Sequence, residues 1–187
     1  MRAFFSLPID GALRMHVGRV AERIRRETTM PASWVRPDNY HVTLRFLGEI
    51  DPDLTGALET AAGGVARGFA PFTLRVAELG AFPSIDRARV LWVGATADPA
   101  FGNLAGALER ELHELGFAPE RPETVAHITM VRIKGRPDAR LPRVVEALGP
   151  FPPHSLRVDR LVLMESRLTP HGPTYDSLFS VPLRTET

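Results

Sequence analysis

Two histidines in this chain each stand two residues before a threonine: His41 and Thr43 in NYHVTLRFLGEI, and His127 and Thr129 in HITMVRIK, 86 residues further on. Both pairs interrupt apolar runs, where a polar group without a hydrogen-bond partner is costly to bury. On a β-strand, residues two apart share a face. Each histidine therefore points the same way as its threonine, and Val42 and Leu44, or Ile128 and Met130, turn to the other side. Two imidazoles and two hydroxyls on one cleft suit the cleavage of a phosphodiester. One imidazole, neutral, takes a proton from an attacking water or hydroxyl, and the other, protonated, gives one to the leaving oxygen. With an ordinary pKa of about 6.5, imidazole fills either role near neutrality. The hydroxyls can donate to the non-bridging oxygens, where charge builds in the transition state.

A single His-x-Thr carries little weight, because a strand histidine beside a threonine is usually a satisfied packing residue. The same pair in two equivalent elements carries much more. Zinc is the competing chemistry, but it wants three or four converging ligands, and these motifs supply one histidine each with no acidic neighbour.

The elements that must position the pairs follow from apolar periodicity. Residues 2–8 read as a strand, and Asp10 caps a helix with its stripe at Leu13, Val17, Val20 and Ile24. The first motif lies in a strand at 39–47, followed by a helix at 52–66 and strands at 71–78 and 88–95 joined by the loop GAFPSIDR. The order then recurs: a helix at 99–115, a strand at 125–133 holding the second motif, a helix at 138–148, and strands at 155–165 and 174–182. Registered on the two histidines, the chain reads as a duplicated β-α-β-α-β-β unit. The expected architecture is α+β and bilobal: two mainly antiparallel sheets face a central cleft with helices outside. All of residues 1–187 form a single domain of two pseudo-symmetric lobes in this reading.

The chain has 187 residues, 44% hydrophobic and 24% charged, the composition of a soluble globular protein. No apolar run approaches the length of a membrane span. The opening MRAFFSLPID is interrupted by Asp10 and followed by no small-residue cleavage site, so no signal peptide is expected. The absence of cysteine excludes disulfides and thiolate chemistry and fits a cytoplasmic location. A net charge of +1 argues against a protein that coats long nucleic acid. Lys134 is the one lysine; every other basic side chain is an arginine, a planar donor fork suited to phosphate.

MRAFFSLPI, HVTLRFLGE, LGAFPS, ARVLWVG, HITMVR and LVLMESRLTPHGPTYDSL together resemble the two-histidine (2H) phosphoesterases. Within them, the likeness is to the bacterial and archaeal RNA 2′,3′-cyclic phosphodiesterases, also called LigT-like 2′-5′ RNA ligases. It runs nearly end to end; Ala126 departs from the proline the family often has before its second motif. The resemblance implies hydrolysis of a terminal 2′,3′-cyclic phosphate to a 2′-phosphate, with no cofactor, metal or ATP. By motif position His41 is the acid on the 3′ oxygen and His127 the base acting on water. The implied partners are RNA 3′ ends bearing the cyclic phosphate, those of tRNA halves among the candidates, bound by a monomer with no membrane partner.

Arg132 matches the family's arginine after the second motif and is expected to hold phosphate or nucleotide. Strict alternation turns it away from His127, so a bulge or a strand end must turn it inward. Arg45 shares the parity of His41 and Thr43, and reads equally as an RNA-backbone contact or a solvated strand-end arginine. Tyr175 and Phe5 could stack on a base, and Trp92 reads as packing. His16, His113 and His154 read as surface residues. His171, in TPHGPTY, lies near the cleft but is read as outside its edge. Three rivals share the motifs. A ligase would run the same site in reverse, a small-nucleotide cyclic phosphodiesterase would need no basic track, and a non-catalytic RNA-end binding module would not need two titratable groups.

Overall fold

Ala3 to Leu7 are buried without alternation, as in a strand covered on both faces. They form β1 (Arg2–Leu7) of a computed structural model that describes residues 1–122, 124–170 and 172–184. Pro8 follows, and Asp10 then caps helix α1 (Gly11–Glu27) by accepting from the Leu13 N–H at 2.8 Å. The fully buried stripe is Leu13, Val17, Ala21 and Ile24, and Val20 packs against the core half-buried beside it. Thr28 ends the helix, its N–H and hydroxyl both donating to the Ile24 carbonyl.

The remaining elements are β2 (Ala32–Trp34), β3 (Val42–Glu49), α2 (Thr55–Arg67), β4 (Phe72–Phe82), β5 (Val90–Ala95), α3 (Pro99–Glu114), β6 (His127–Ile133), α4 (Leu141–Leu148), β7 (His154–Val158), β8 (Arg160–Thr169) and β9 (Gly172–Pro182). Asp98 caps α3, accepting from the Ala100 N–H, and Gly149 ends α4 at φ +69°, a backbone angle that favours glycine. Among the described residues no helix is long and apolar enough to cross a membrane.

The strands run in the order β7-β4-β5-β6-β3-β1-β8-β9, with β2 added on β6, and every pairing is antiparallel. The fold is the expected α+β class, and its two expected sheets are the halves of one nine-stranded sheet. They meet at a single pairing, Val42 with Ile128, between β3 and β6. α1 packs on β6 and α4, and α3 packs on β3 and α2. α1 and α3 thus each cover the half of the sheet opposite the strand that precedes them, whereas α2 packs on β8 and β9, in the half that holds β3.

Three readings change. The strand expected at 155–165 is two strands broken at Asp159: β7 pairs with β4 in one half, and β8 pairs with β1 in the other. The break is where the chain crosses between halves. β4 continues through Phe82, so Gly80, Ala81 and Phe82 of the expected loop GAFPSIDR are strand. β2 was not expected, since three residues are too short to show a period.

Candidate active site

The site is built around the pairing of Val42 with Ile128, both 1% exposed and turned into the core. Continuing that antiparallel register one residue each way sets His41 opposite Thr129 and Thr43 opposite His127. His41, Thr43 and Thr129 line one small pocket on the open face, and His127 stands two residues before Thr129 on the same strand. All four are half-buried, while Leu44 and Met130 beyond them are buried.

Leu44 and Met130 are also bulges. On β1, Phe5 pairs with Arg45 and the next residue, Ser6, pairs with Thr43, leaving Leu44 without a partner. On β5, Leu91 pairs with Val131 and Trp92 with Thr129, leaving Met130 without one. Each bulge reverses the alternation beyond it. Arg132 is thereby turned onto the face of His127, where it lines one small pocket with His41, Thr43, Phe46, Thr129 and Tyr175. The matching bulge turns Arg45 the other way. Its Nε donates to Glu109 Oε2 at 2.7 Å, its other nitrogens reach Glu120 and the carbonyls of Phe46 and Ala118, and it is 9% exposed. Arg45 is therefore neither an RNA contact nor a solvated arginine; it ties β3 to α3 and the chain beyond it. Phe46 takes the cleft position instead and is exposed.

The two histidines are held by the same device. His41 Nδ1 lies 2.7 Å from the Asn39 carbonyl, and His127 Nδ1 lies 3.1 Å from the Val125 carbonyl. A carbonyl only accepts, so each Nδ1 carries a proton and each Nε2 is left to exchange one. His41 Nε2 meets the Thr43 hydroxyl at 3.0 Å. Burial holds the His41 imidazole below the usual histidine range. The charges of Arg132 and His127 act in the same direction, against the pull of the Asn39 bond.

Aromatic rings back both imidazoles. Phe4 and Tyr175 have ring centroids 4.8 and 5.3 Å from His41, and Phe82 and Trp92 lie 5.2 and 6.1 Å from His127. Trp92 lies over Gly80 and Gly94, where an added Cβ would meet its ring at 2.3 and 2.9 Å. Burial pushes the Tyr175 phenol above its ordinary value, against the charges of Arg132 and Arg2. Asn39 donates its side-chain amide to the Pro173 carbonyl at 2.7 Å, joining the turn before β3 to the strand of Tyr175.

The structure therefore brings together His41, Thr43, Thr129, Arg132 and Tyr175 in one pocket, with His127 two residues before Thr129 on β6. It removes Arg45 and Phe5; Phe5 is fully buried against Phe179. Phe4, Phe46, Phe82 and Asn39 were missed. The bulge that exposes Phe46 leaves no trace in the composition of β3 alone, and the unbroken apolar run of β1 does not say which of Phe4 and Phe5 faces the cleft. His16 and His154 are not simple surface residues: the His16 Nδ1 is buried and His154 Nε2 lies 2.7 Å from Asp10. His171 lies outside the described residues.

Paired His-x-Thr strands at the centre of such a sheet are the arrangement of the two-histidine phosphoesterases. The model of the family described as LigT like Phosphoesterase matches residues 7–92 and 94–175, and the chain belongs to that family. A protein of Methanothermobacter thermautotrophicus named RNA 2′,3′-cyclic phosphodiesterase is 32% identical over 179 residues, covering 95% of this chain and 96% of that one. One of the same name from Aeropyrum pernix is 35% identical, covering 88% and 95%. Among solved structures, a Thermus thermophilus protein superposes with a TM-score of 0.79 at 27% identity over the whole of both chains. E. coli LigT complexed with NADP+ gives 0.71 at 25% identity over 98% of each.

Proposed function

We propose that this chain hydrolyses the terminal 2′,3′-cyclic phosphate of RNA to a 2′-phosphate, with His127 as general base and His41 as general acid. The observation that carries the reading is the shared tautomer: both imidazoles commit Nδ1 to a carbonyl two residues back, which leaves Nε2 for proton transfer. The relatives named RNA 2′,3′-cyclic phosphodiesterase support the choice of substrate.

In the proposed reaction His127 Nε2 takes a proton from water as its oxygen attacks phosphorus. The bond from phosphorus to the 3′ oxygen breaks, and that oxygen takes the proton from His41 Nε2. The product carries a 2′-phosphate and a 3′-hydroxyl, and the two imidazoles have exchanged protonation states, which solvent resets. Thr43, Thr129 and Arg132 hold the non-bridging oxygens. The contact of Thr43 with His41 Nε2 gives way to the leaving oxygen when substrate enters. A phosphate anion in the cleft favours protonated His41, and burial makes that form a stronger acid. Among the described residues no three His, Asp or Glu side chains converge to hold a metal ion. The enzyme is proposed to act as a cytoplasmic monomer.

The test is a short RNA ending in 2′,3′-cyclic phosphate, incubated with the protein in EDTA. The expected product is a 2′-monophosphate formed at an undiminished rate. Loss of turnover in EDTA with recovery on adding a divalent ion would overturn the mechanism, and a 3′-phosphate product would make the 2′ oxygen the leaving group.

A further inference from the structure

A second groove opens from the cleft across β2. It has a volume of about 590 Å³, and Asn39, Arg132 and Tyr175 belong to both. Its other walls include Ser33, Trp34, Arg36 and Lys134. Ser33 pairs with Arg132 and Trp34 with Val131, so β2 is an added rim on the motif strand. Arg36, Arg132 and Lys134 are exposed, and none has a carboxylate within ion-pair distance among the described residues. Three unpaired cations beside a tryptophan, on a chain whose net charge is only +1, form a local phosphate-binding track rather than a general basic surface.

A 2′,3′-cyclic phosphate is by its chemistry the 3′ end of a strand, so the rest of the RNA can leave the site only in the 5′ direction. We infer that this groove binds the nucleotide on the 5′ side of the cyclic phosphate, with Arg36 and Lys134 on the connecting phosphate and Trp34 against the sugar and base. The volume suits one nucleotide. The inference rests on the function proposed above and narrows it: the preferred substrate is an oligonucleotide end rather than a free nucleoside cyclic phosphate.

The test compares kcat/KM for uridine 2′,3′-cyclic phosphate with that for a dinucleotide ending in the same group, using the whole protein. The wild type is expected to prefer the dinucleotide by about 10-fold or more. Stacking on Trp34 implies that Trp34→Ala lowers the dinucleotide rate by about 5- to 100-fold, with Trp34→Phe close to wild type and the nucleoside rate unchanged in both. The double variant Arg36→Ala with Lys134→Ala should also lose the preference. A longer single strand should then bind with a log–log salt slope smaller by about 0.7 per lost phosphate contact. Equal rates on the two substrates in the wild type, or equal losses on both in the variants, would overturn the inference. If neither substrate turns over, it is the proposed function that fails. The groove is then judged by the binding of a dinucleotide 2′-phosphate: weakening by Trp34→Ala and the double variant upholds it, and indifference to both overturns it.

Discussion

His41 and Thr43 answer for each other's burial: the ring's Nδ1 is taken by the Asn39 carbonyl and its Nε2 by the Thr43 hydroxyl. A resting site satisfied in this way exchanges one hydrogen bond for substrate instead of exposing an unpaired polar group. The direction of the His41 shift gives a pH expectation. The rate should be bell-shaped, with limbs that are macroscopic values of the interacting pair. Because burial holds His41 below the ordinary value of about 6.5, the acidic limb of kcat/KM should fall below that value, whichever imidazole carries the proton in the active form. A profile that rises monotonically into the alkaline range would remove the acid role. The same shift affects stability: the contribution of neutral His41 is present above about 6.5 and is lost as pH falls through its lowered folded value. The residue types were fully legible in the sequence, since the motif pairs needed only period-two alternation. The outward turn of Arg45 was not, because the bulge at Leu44 inverts the facing of the residues that follow it, whereas the inward turn of Arg132 was expected on condition of such a bulge.

At the scale of elements, those bulges are set by the partner strands: β1 skips Leu44 and β5 skips Met130. No property of HVTLRF or HITMVR read alone reports a register set by another strand, which is why alternation failed at the residue after each bulge. Turned outward, Arg45 becomes a strut between β3, α3 and the chain beyond it, with Glu109 almost as buried as itself. Arg45→Ala leaves the Glu109 carboxylate with little access to water and without its cation. The expected cost is about 3 kcal/mol in urea denaturation, with kcat/KM of the folded variant within about 3-fold of wild type. A loss of 10-fold or more in rate without a change in stability would put Arg45 back in the substrate site. β2 and the break at Asp159 were also beyond sequence reading, one for its length and the other because β7 and β8 run almost continuously in the chain.

In the whole molecule, the recurrence of element order was legible from the two motifs, but its spatial result was not. β4 lies with β5 and β6, whereas β8 and β9 return to β1 and β3, so each half of the sheet is completed by the other half of the sequence. This interleaving places the motif strands side by side at the centre, where His41 and Phe46 of one meet Thr129 and Arg132 of the other in one pocket. Both imidazoles meet a carbonyl through Nδ1, and among the described residues His41 Nε2 alone also meets its motif threonine, a difference that suits two histidines with different roles. The most direct test of that division uses His41→Ala and His127→Ala on two substrates: RNA ending in 2′,3′-cyclic phosphate, and a nitrophenyl phosphodiester whose leaving group needs no proton. On the RNA each variant should lose about 10²- to 10⁴-fold in rate while still binding it. On the nitrophenyl ester His41→Ala should return close to the wild-type rate and His127→Ala should stay inactive. Equal and mild losses in both variants on the RNA, with no rescue of either, would contradict proton transfer by the pair.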